Sequence, residues 1–340
     1  MNDRRWIRRG RRLLAALVAT GTAVGMCACG GTSTTATTSA SSGSATAGPA
    51  RTVMSCTEKL TFTSAPRRVI LMSETDVSVM AKPGLLDSVV GRAGPLKTEN
   101  HDSATAARLK AIPVVSSTKL ATGGARISTE TIVASRADLV IGYDSGVDRD
   151  ALRRSGIKLY SPDAWCESPS AARATFGLAR DEVTKVAQIF GVQDRARKVN
   201  AQLAADETAL TRSATRRGSA AAFWIDPGAS TFYTYGSSSM VQPIFEANGL
   251  TNVYGDQSKR VFDATMEDVL KRDPEWIVLL AQTGAVDKVT PAFLGFKGAS
   301  SLRAVKAGHV VAMPFALTDP PTPLSLEGAK ELHRLLEQKS

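Results

Sequence analysis

The sequence predicts an α/β protein of two lobes, each a three-layer αβα arrangement around a parallel sheet, joined by one long helix. Apolar runs of strand length alternate with helical stretches between residues 66 and 176, and the alternation resumes after residue 215. Between these regions, apolar residues recur at helical spacing. Strands that alternate with helices favour parallel βαβ units, and near-continuous apolar runs suit strands buried on both faces.

The first lobe is expected over 53–176. Its first strand follows Pro66 and its second follows Gly84, whereas each of two later strands follows a helical stretch, one of which begins near Thr129. The candidate strands are 68–72, 88–91, 137–142 and 157–160, and a further helix is expected over 148–155.

The segment 177–214 is expected to be the helix that spans the two lobes. Apolar residues such as Val183 and Leu203 lie on one face of it, and Gly191 is expected to interrupt it.

The second lobe is expected over 215–340. Its candidate strands are 221–225, 276–280 and 310–314, and its candidate helices are 240–248, 265–271, 302–305 and 326–337. Binding loops of parallel sheets lie at the carboxyl ends of the strands, and domain interfaces commonly hold small molecules. We therefore expect a ligand cleft between the lobes.

Residues 1–28 are typical of an export signal. Six arginines precede an apolar stretch over 13–24, which is shorter than the roughly 20 residues of a membrane-spanning helix. A membrane-anchoring helix is the alternative, and the paired arginines leave open whether export follows the Sec or the twin-arginine route.

Two cysteines end the apolar stretch in a pattern that resembles a bacterial lipoprotein signal. Cys29 follows the small Ala28, whereas Cys27 follows the bulky Met26, so Cys29 is the predicted lipidation site. A diacylglycerol and acyl anchor supplies enough chains for stable membrane attachment. The alternatives are acylation of Cys27 and a plain signal peptide with soluble release.

The segment 29–52 consists largely of Gly, Ser, Thr and Ala. Such a composition buries too little apolar surface to offset the entropy of ordering, so we expect a flexible tether. Together with the lipid anchor, it predicts an extracytoplasmic protein held on the outer face of the cell membrane.

Two further cysteines, Cys56 and Cys166, lie in the body of the chain. An even pair in an exported protein favours a disulfide, which would stabilise the fold by about 5 kcal/mol in the chain-entropy model. Two free buried thiols are the alternative.

The net charge of +10 does not indicate nucleic-acid binding. Half of it belongs to the arginine-rich start, and the remainder forms no basic stripe interleaved with aromatic residues.

Four motifs occur in a fixed order along the body of the chain. The first is a Pro-x-Arg-Val strand start within 65–70. The second and third each combine a helix that begins with a glutamate and a following apolar strand, at 127–133 with 137–141 and at 265–270 with 273–278. The fourth closes the series at 302–310.

Together these motifs resemble the iron-siderophore and cobalamin class (class III) of periplasmic substrate-binding proteins, over roughly residues 60–335. The chain departs from the family pattern at Arg136 and Ala137, where Lys-Pro is usual. The resemblance implies two rigid lobes with a small hinge motion, and delivery of the ligand to an ABC permease and its ATPase.

The resemblance also implies a permease-docking pair, which falls by motif on Glu130 and Glu267. Each begins a helix, where the helix dipole favours a carboxylate, and acidic side chains on both lobes would steer docking. Stabilisation of the helix start is the alternative role.

Candidate ligand groups lie in the loops after the strands, where aromatic rings provide flat walls and Arg260 can pair with an anionic chelate. Arg126 either narrows the cleft or binds an anionic group. The predicted ligand residues are Ser73, Glu74, Arg126, Tyr143, Asp163, Trp165, Tyr233, Tyr235, Arg260, Phe262, Gln282 and Phe315.

An enzyme and a bare-metal site are both disfavoured. The chain has three histidines, and 236–240 lacks the second glycine of a nucleophile elbow. We therefore expect a monomeric, substrate-binding lipoprotein that captures a ferric siderophore, with no cofactor besides its acyl anchor. Cobalamin, haem or a cofactor precursor are the alternative ligands, and a non-transport receptor or a secreted enzyme are the alternative classes.

Overall fold

The computed structural model describes residues 49–73, 76–94, 98–119, 125–143, 146–166, 171–225, 231–281 and 286–339, all within one structural unit, Ala47–Ser340. The predicted signal peptide, Cys29 and the tether as far as residue 48 lie outside the described residues.

The first lobe contains nine strands and four helices among the described residues. The strands are β1 (Arg51–Ser55), β2 (Glu58–Phe62), β3 (Val69–Leu71), β4 (Val89–Ala93), β5 (Val114–Ser116), β6 (Thr118–Lys119), β7 (Ala125–Arg126), β8 (Leu139–Ile141) and β9 (Lys158–Tyr160). The helices are α1 (Val77–Ala81), α2 (Ser103–Ala111), α3 (Thr129–Ala134) and α4 (Arg149–Arg154).

Five parallel strands form the sheet of this lobe, in the order β5-β4-β3-β8-β9. Alternate residues of β3 face opposite sides: Val69 and Leu71 belong to one buried cluster, Ile70 to the other. Both faces of the sheet are therefore covered, as the uninterrupted apolar runs predicted. Two antiparallel pairs, β1 with β2 and β6 with β7, lie outside the sheet.

The predicted spanning segment 177–214 is not one continuous helix. It forms α5 (Gly177–Phe190) and α6 (Gln193–Ser213), and Gly191 ends α5 in the left-handed region at φ 74°. Arg180 pairs with Glu207 at 2.5 Å, so the helices fold back antiparallel. Periodicity alone could not separate this hairpin from a long helix, because both helices keep the same apolar spacing.

Each lobe contributes to the packing of the hairpin. Val183 and Val186 of α5 belong to the core of the first lobe, whereas Leu203 and Leu210 of α6 belong to that of the second. Val199 packs against both cores, so α6 is the element that crosses between the lobes.

The second lobe contains six strands and five helices among the described residues. They are β10 (Gly218–Trp224), β11 (Phe232–Tyr235), α7 (Val241–Glu246), β12 (Leu250–Asn252), β13 (Val261–Ala264), α8 (Met266–Arg272), β14 (Trp276–Ala281), α9 (Val286–Leu294), α10 (Arg303–Lys306), β15 (Val310–Pro314) and α11 (Leu324–Glu337).

The sheet of the second lobe has the order β13-β11-β10-β14-β15, and β12 also pairs with β10. Strands β12, β10, β14 and β15 are parallel, as expected, whereas β11 runs in the opposite direction and pairs antiparallel with both β10 and β13. This antiparallel part brings Tyr233 opposite Trp224 at the end of β10.

The predicted strands and helices correspond to observed elements in both lobes, whereas the end of the predicted tether differs. The described chain already forms β1 at Arg51, two residues inside that tether. The short elements α2, α9, β5 and β12 were not predicted. Strands β5 and β12 have three residues each, α2 is weakly amphipathic, and α9 contains Pro291, which argues against a helix in the sequence. Within the described part of the chain, no helix combines the length and apolarity needed to cross a bilayer.

Candidate functional site

A contact between Trp165 and Arg260 connects the two lobes. Trp165 lies in a short turn after β9 of the first lobe, and Arg260 directly precedes β13 of the second. The guanidinium carbon lies 5.3 Å from the centroid of the Trp165 ring, a cation–π arrangement. Both residues were predicted as ligand groups, and the structure brings them together.

Asp319 holds the Arg260 side chain in this position. Its carboxylate is fully buried and accepts a hydrogen bond from Nη1 of Arg260 through Oδ2, while Oδ1 accepts the backbone N–H of Met240. A buried carboxylate paired with a guanidinium fixes the direction of the remaining donors. Those donors are the polar groups that Arg260 can offer to a ligand.

Aromatic side chains form the wall of the second lobe. Tyr233 is 36% exposed, and its ring centroid lies 5.2 Å from that of Trp224. Behind them Tyr235 is buried, with its ring centroid 6.4 Å from that of the half-buried Phe315. Tyr233 and Phe315 therefore keep part of their ring surface accessible, whereas Tyr235 is buried and packs against Phe315.

Tyr143 and Trp165 form an aromatic pair on the first lobe. Their ring centroids lie 5.4 Å apart, and Tyr143 is 38% exposed. The residue after Trp165 is Cys166, which forms the predicted disulfide with Cys56. The disulfide ties the turn that carries Trp165 to the hairpin of β1 and β2.

Asp163 anchors the same turn to α5. Its carboxylate lies 2.5 Å from Nζ of Lys185, and its backbone N–H donates to Glu182 at 3.0 Å. Glu182 is buried and also accepts a hydrogen bond of 2.6 Å from the hydroxyl of Tyr160. Burial raises the pKa of Glu182.

A second buried carboxyl, Asp76, lies beneath the end of β3. Ser73 donates a hydrogen bond of 2.8 Å to its Oδ2. Burial, assisted by the nearby charge of Glu182, raises the pKa of Asp76 to about 7 despite that bond. The Ser73 hydroxyl therefore bonds to a buried carboxyl of its own lobe, whereas the sequence predicted that it would contact the ligand.

A cavity of 410 Å³ adjoins the turn. It is lined mainly by one face of α5, with Asp163 on one side and Pro321 of the second lobe on the other. It shares Asp163 with the predicted ligand set but none of the aromatic side chains, so the contact between Trp165 and Arg260 is the candidate ligand site.

Several predicted ligand residues lie apart from this contact. Phe262 packs against Tyr254 on the opposite face of the sheet from Tyr235. Arg126 is exposed on β7 and lies over Gly146, in the loop that follows Tyr143. Glu74 and Gln282 lie outside the described residues.

Two residues of the candidate site, Asp319 and Trp224, were not predicted. Trp224 is the last residue of β10 and the last but one of the predicted strand 221–225, and this position near a strand end was the available signal. Asp319 follows the last strand by five residues, within a run of prolines. Nothing in the run itself indicates a partner for Arg260.

Glu130 and Glu267 occupy equivalent positions on α3 and α8. Both follow a capping hydroxyl, that of Ser128 or Thr265, whose oxygen accepts a backbone N–H of the first turn. Hydrogen bonding with its own backbone and the Ser128 hydroxyl lowers the pKa of Glu130, so this carboxylate is ionised at neutral pH.

The chemistry of the site is that of binding. It combines aromatic faces with a fixed guanidinium, which suits a large organic ligand carrying oxygen acceptors. Among the described residues, no three His, Cys, Asp or Glu side chains converge as metal ligands would.

Comparison with known proteins agrees with this fold. A family model described as periplasmic binding protein matches residues 69–317. A protein solved as an ABC-type Fe3+-hydroxamate transport system of Saccharomonospora viridis is 36% identical, with a TM-score of 0.79, over 84% of this chain and 98% of that one. No curated protein sequence gives a significant match.

More distant structures share the fold. A periplasmic haem-binding protein of Vibrio cholerae is 16% identical, with a TM-score of 0.60, over 79% of this chain and 98% of that one. A periplasmic vitamin B12-binding protein of the same organism is 16% identical, with a TM-score of 0.56, over 81% and 98%. The resemblance predicted from the four motifs is confirmed: the chain belongs to the periplasmic binding protein family, whose members bind small molecules outside the cytoplasm for an ABC permease and its ATPase and are not enzymes.

Proposed function

We propose that the chain captures a ferric siderophore of the hydroxamate type between its lobes and delivers it to an ABC permease. The observation that carries this proposal is the contact between Arg260 and Trp165, which places a fixed cation and an aromatic face together where the lobes meet. The 36% identity to the Fe3+-hydroxamate transport protein supports the choice of ligand class.

A ferric hydroxamate suits these residue types. The chelator's own oxygens surround the iron, so the protein needs no metal ligands and instead contacts the organic shell. Arg260 can donate to chelate oxygens, while Tyr143, Trp165 and Tyr233 pack against the apolar linkers.

The docking role of Glu130 and Glu267 is part of the proposal. Of the glutamates that the structure describes, only Glu99, Glu130 and Glu267 form no ion pair with another described residue. Unpaired carboxylates at equivalent sites on two lobes are available to basic side chains of a permease.

Export and lipidation complete the proposed function. Cleavage before Cys29 and acylation of that residue would hold the binding protein at the outer face of the membrane, close to its permease. Mass spectrometry of the membrane-associated chain tests this: the expected N-terminal peptide begins at an acylated Cys29, and an unmodified or uncleaved peptide contradicts it.

Calorimetric titration of the purified, exported chain tests the ligand class. The panel comprises ferrioxamine B as a ferric trihydroxamate, a ferric catecholate, ferric citrate, cobalamin and haem, with iron-free desferrioxamine B as the matched control. We expect saturable binding of ferrioxamine B at about micromolar concentration or below, and weaker binding of the iron-free form. Binding of haem or cobalamin alone would overturn the siderophore assignment.

A further inference from the structure

Two exposed aliphatic side chains accompany the proposed docking glutamates. Val133 on α3 is 39% exposed and Leu270 on α8 is 37% exposed. Each follows its glutamate, Glu130 or Glu267, by three residues, so both side chains of a pair lie on one face of the helix.

The two pairs are equivalent in the fold. The same number of residues separates Glu130 from Glu267 and Val133 from Leu270. Each helix leads into a parallel strand near the centre of its sheet, β8 after α3 and β14 after α8. The carboxylate and the aliphatic side chain therefore recur together on both lobes.

Exposure of large apolar side chains is uncommon elsewhere in the described residues. Besides Val133 and Leu270, the exposed large apolar side chains include Tyr143 and Tyr233, which belong to the proposed ligand site. The others are Met54, Val114 and Leu294. An exposed aliphatic side chain three residues after a carboxylate without an ion pair therefore recurs on both lobes, although part of Leu270 also lies beside Gly298.

We infer that Glu130 with Val133, and Glu267 with Leu270, form a two-part docking surface for the permease. The partner is a membrane protein that presents, at two separate sites, a basic side chain next to an apolar one. This inference rests on the proposed transport function.

The physical reason for the pairing is the weakness of ion pairs in water. A solvent-exposed carboxylate and cation attract each other only slightly, because water and salt screen them. An aliphatic contact at the edge of the pair excludes water on binding and strengthens the attraction. Val133 and Leu270 would thus determine how tightly the chain docks, while the carboxylates steer and register it.

Uptake by cells tests this surface separately from ligand binding. The chromosomal copy is replaced by the full chain carrying Val133→Asn with Leu270→Asn, and uptake of radiolabelled ferrioxamine B is measured. The matched control carries Val114→Asn with Leu294→Asn, which are exposed by 50% and 45%. A third strain carries Glu130→Gln with Glu267→Gln. Calorimetry gives the ferrioxamine B affinity of each purified variant.

We expect the first variant to lose uptake by about tenfold while its ligand affinity stays at the wild-type value, and the control to keep both. If the Val133→Asn, Leu270→Asn strain takes up ferrioxamine B as fast as wild type and only the glutamate strain loses uptake, the aliphatic contact is overturned. Docking through the two carboxylates would then still be supported. Equal losses in the first variant and the control would also overturn it. Absence of uptake by the wild-type strain, with ligand still bound, would overturn transport itself.

Discussion

Arg260 and Trp165 belong to different lobes, yet the guanidinium carbon of one lies 5.3 Å from the ring centroid of the other. This contact brings together a cation held by Asp319 and a ring held by the neighbouring disulfide. The proposed ligand site is therefore supported on each lobe by an interaction that can be removed by itself.

Replacement of Arg260 by Met is expected to weaken both folding and ligand binding. It leaves the buried Asp319 carboxylate without its cation, which should lower the free energy of unfolding by about 2–3 kcal/mol, since the Arg260 side chain is itself 25% exposed. Urea unfolding measures this change. The double variant with Asp319→Asn should recover part of the stability, and Arg334→Met on α11 serves as an exposed control. Additive losses in the double variant would contradict the pairing.

The disulfide between Cys56 and Cys166 is expected to contribute about 5 kcal/mol, because it closes a loop whose ends are 110 residues apart. The variant Cys56→Ser with Cys166→Ser should lower the urea midpoint by a corresponding amount. Reduction with dithiothreitol should lower the midpoint of the wild-type chain but not that of the variant. A variant as stable as the oxidised wild type would contradict this contribution.

The stability of the first lobe is expected to depend on pH through Asp76. Its folded pKa is raised to about 7, so the folded chain keeps a proton that the unfolded chain releases above about pH 4. The resulting stability is fully present below pH 4 and is lost as the pH rises towards 7.

The variant Asp76→Asn removes this dependence, with Glu182 unchanged in both proteins. Relative to wild type, we expect it to gain about 2–3 kcal/mol in unfolding free energy between pH 5 and pH 8, as measured by urea unfolding at both values. A constant difference between the two proteins at these pH values would show that Asp76 ionises normally in the folded state.

Removal of the Tyr233 ring is expected to weaken ligand binding with only a moderate loss of stability. The ring is 36% exposed and packs on Trp224, so Tyr233→Ser should lower the free energy of unfolding by about 1 kcal/mol, while the affinity for ferrioxamine B falls by about tenfold. Calorimetry measures the affinity, and Leu294→Ser is a control of similar exposure away from the aromatic wall. Unchanged affinity in Tyr233→Ser would remove this wall from the site.

The parallel strands β3, β8 and β14 could be predicted because each is a short apolar run, which follows Pro66 in the case of β3 and a helix in the other two cases. The hairpin of α5 and α6 could not, since a glycine such as Gly191 marks an interruption without giving the direction of the next helix. Strands β11 and β13 were missed because their aromatic residues were assigned to binding loops.

Part of the candidate site could be predicted from the positions at which the strands end. Tyr143 and Trp165 follow the parallel strands β8 and β9, and strand ends converge in parallel sheets. Tyr233 lies within the antiparallel strand β11 and was predicted from its residue type alone. Burial is not visible in the same way, so Tyr235 and Phe262 were grouped with exposed rings. Asp319 pairs with Arg260 across 59 residues of chain, a contact that no local pattern encodes.

Fluorescence quenching in single-tryptophan variants tests the central claim most directly. Trp276 stacks on His309 at the start of β14, at the opposite end of the strand from the site, and provides an internal reference. We predict that ferrioxamine B quenches a chain retaining only Trp165 saturably, after correction for absorption by the chelate, and leaves a chain retaining only Trp276 much less affected. Equal quenching of the two, or none at a concentration that saturates the calorimetric signal, would place the ligand away from the contact between Trp165 and Arg260.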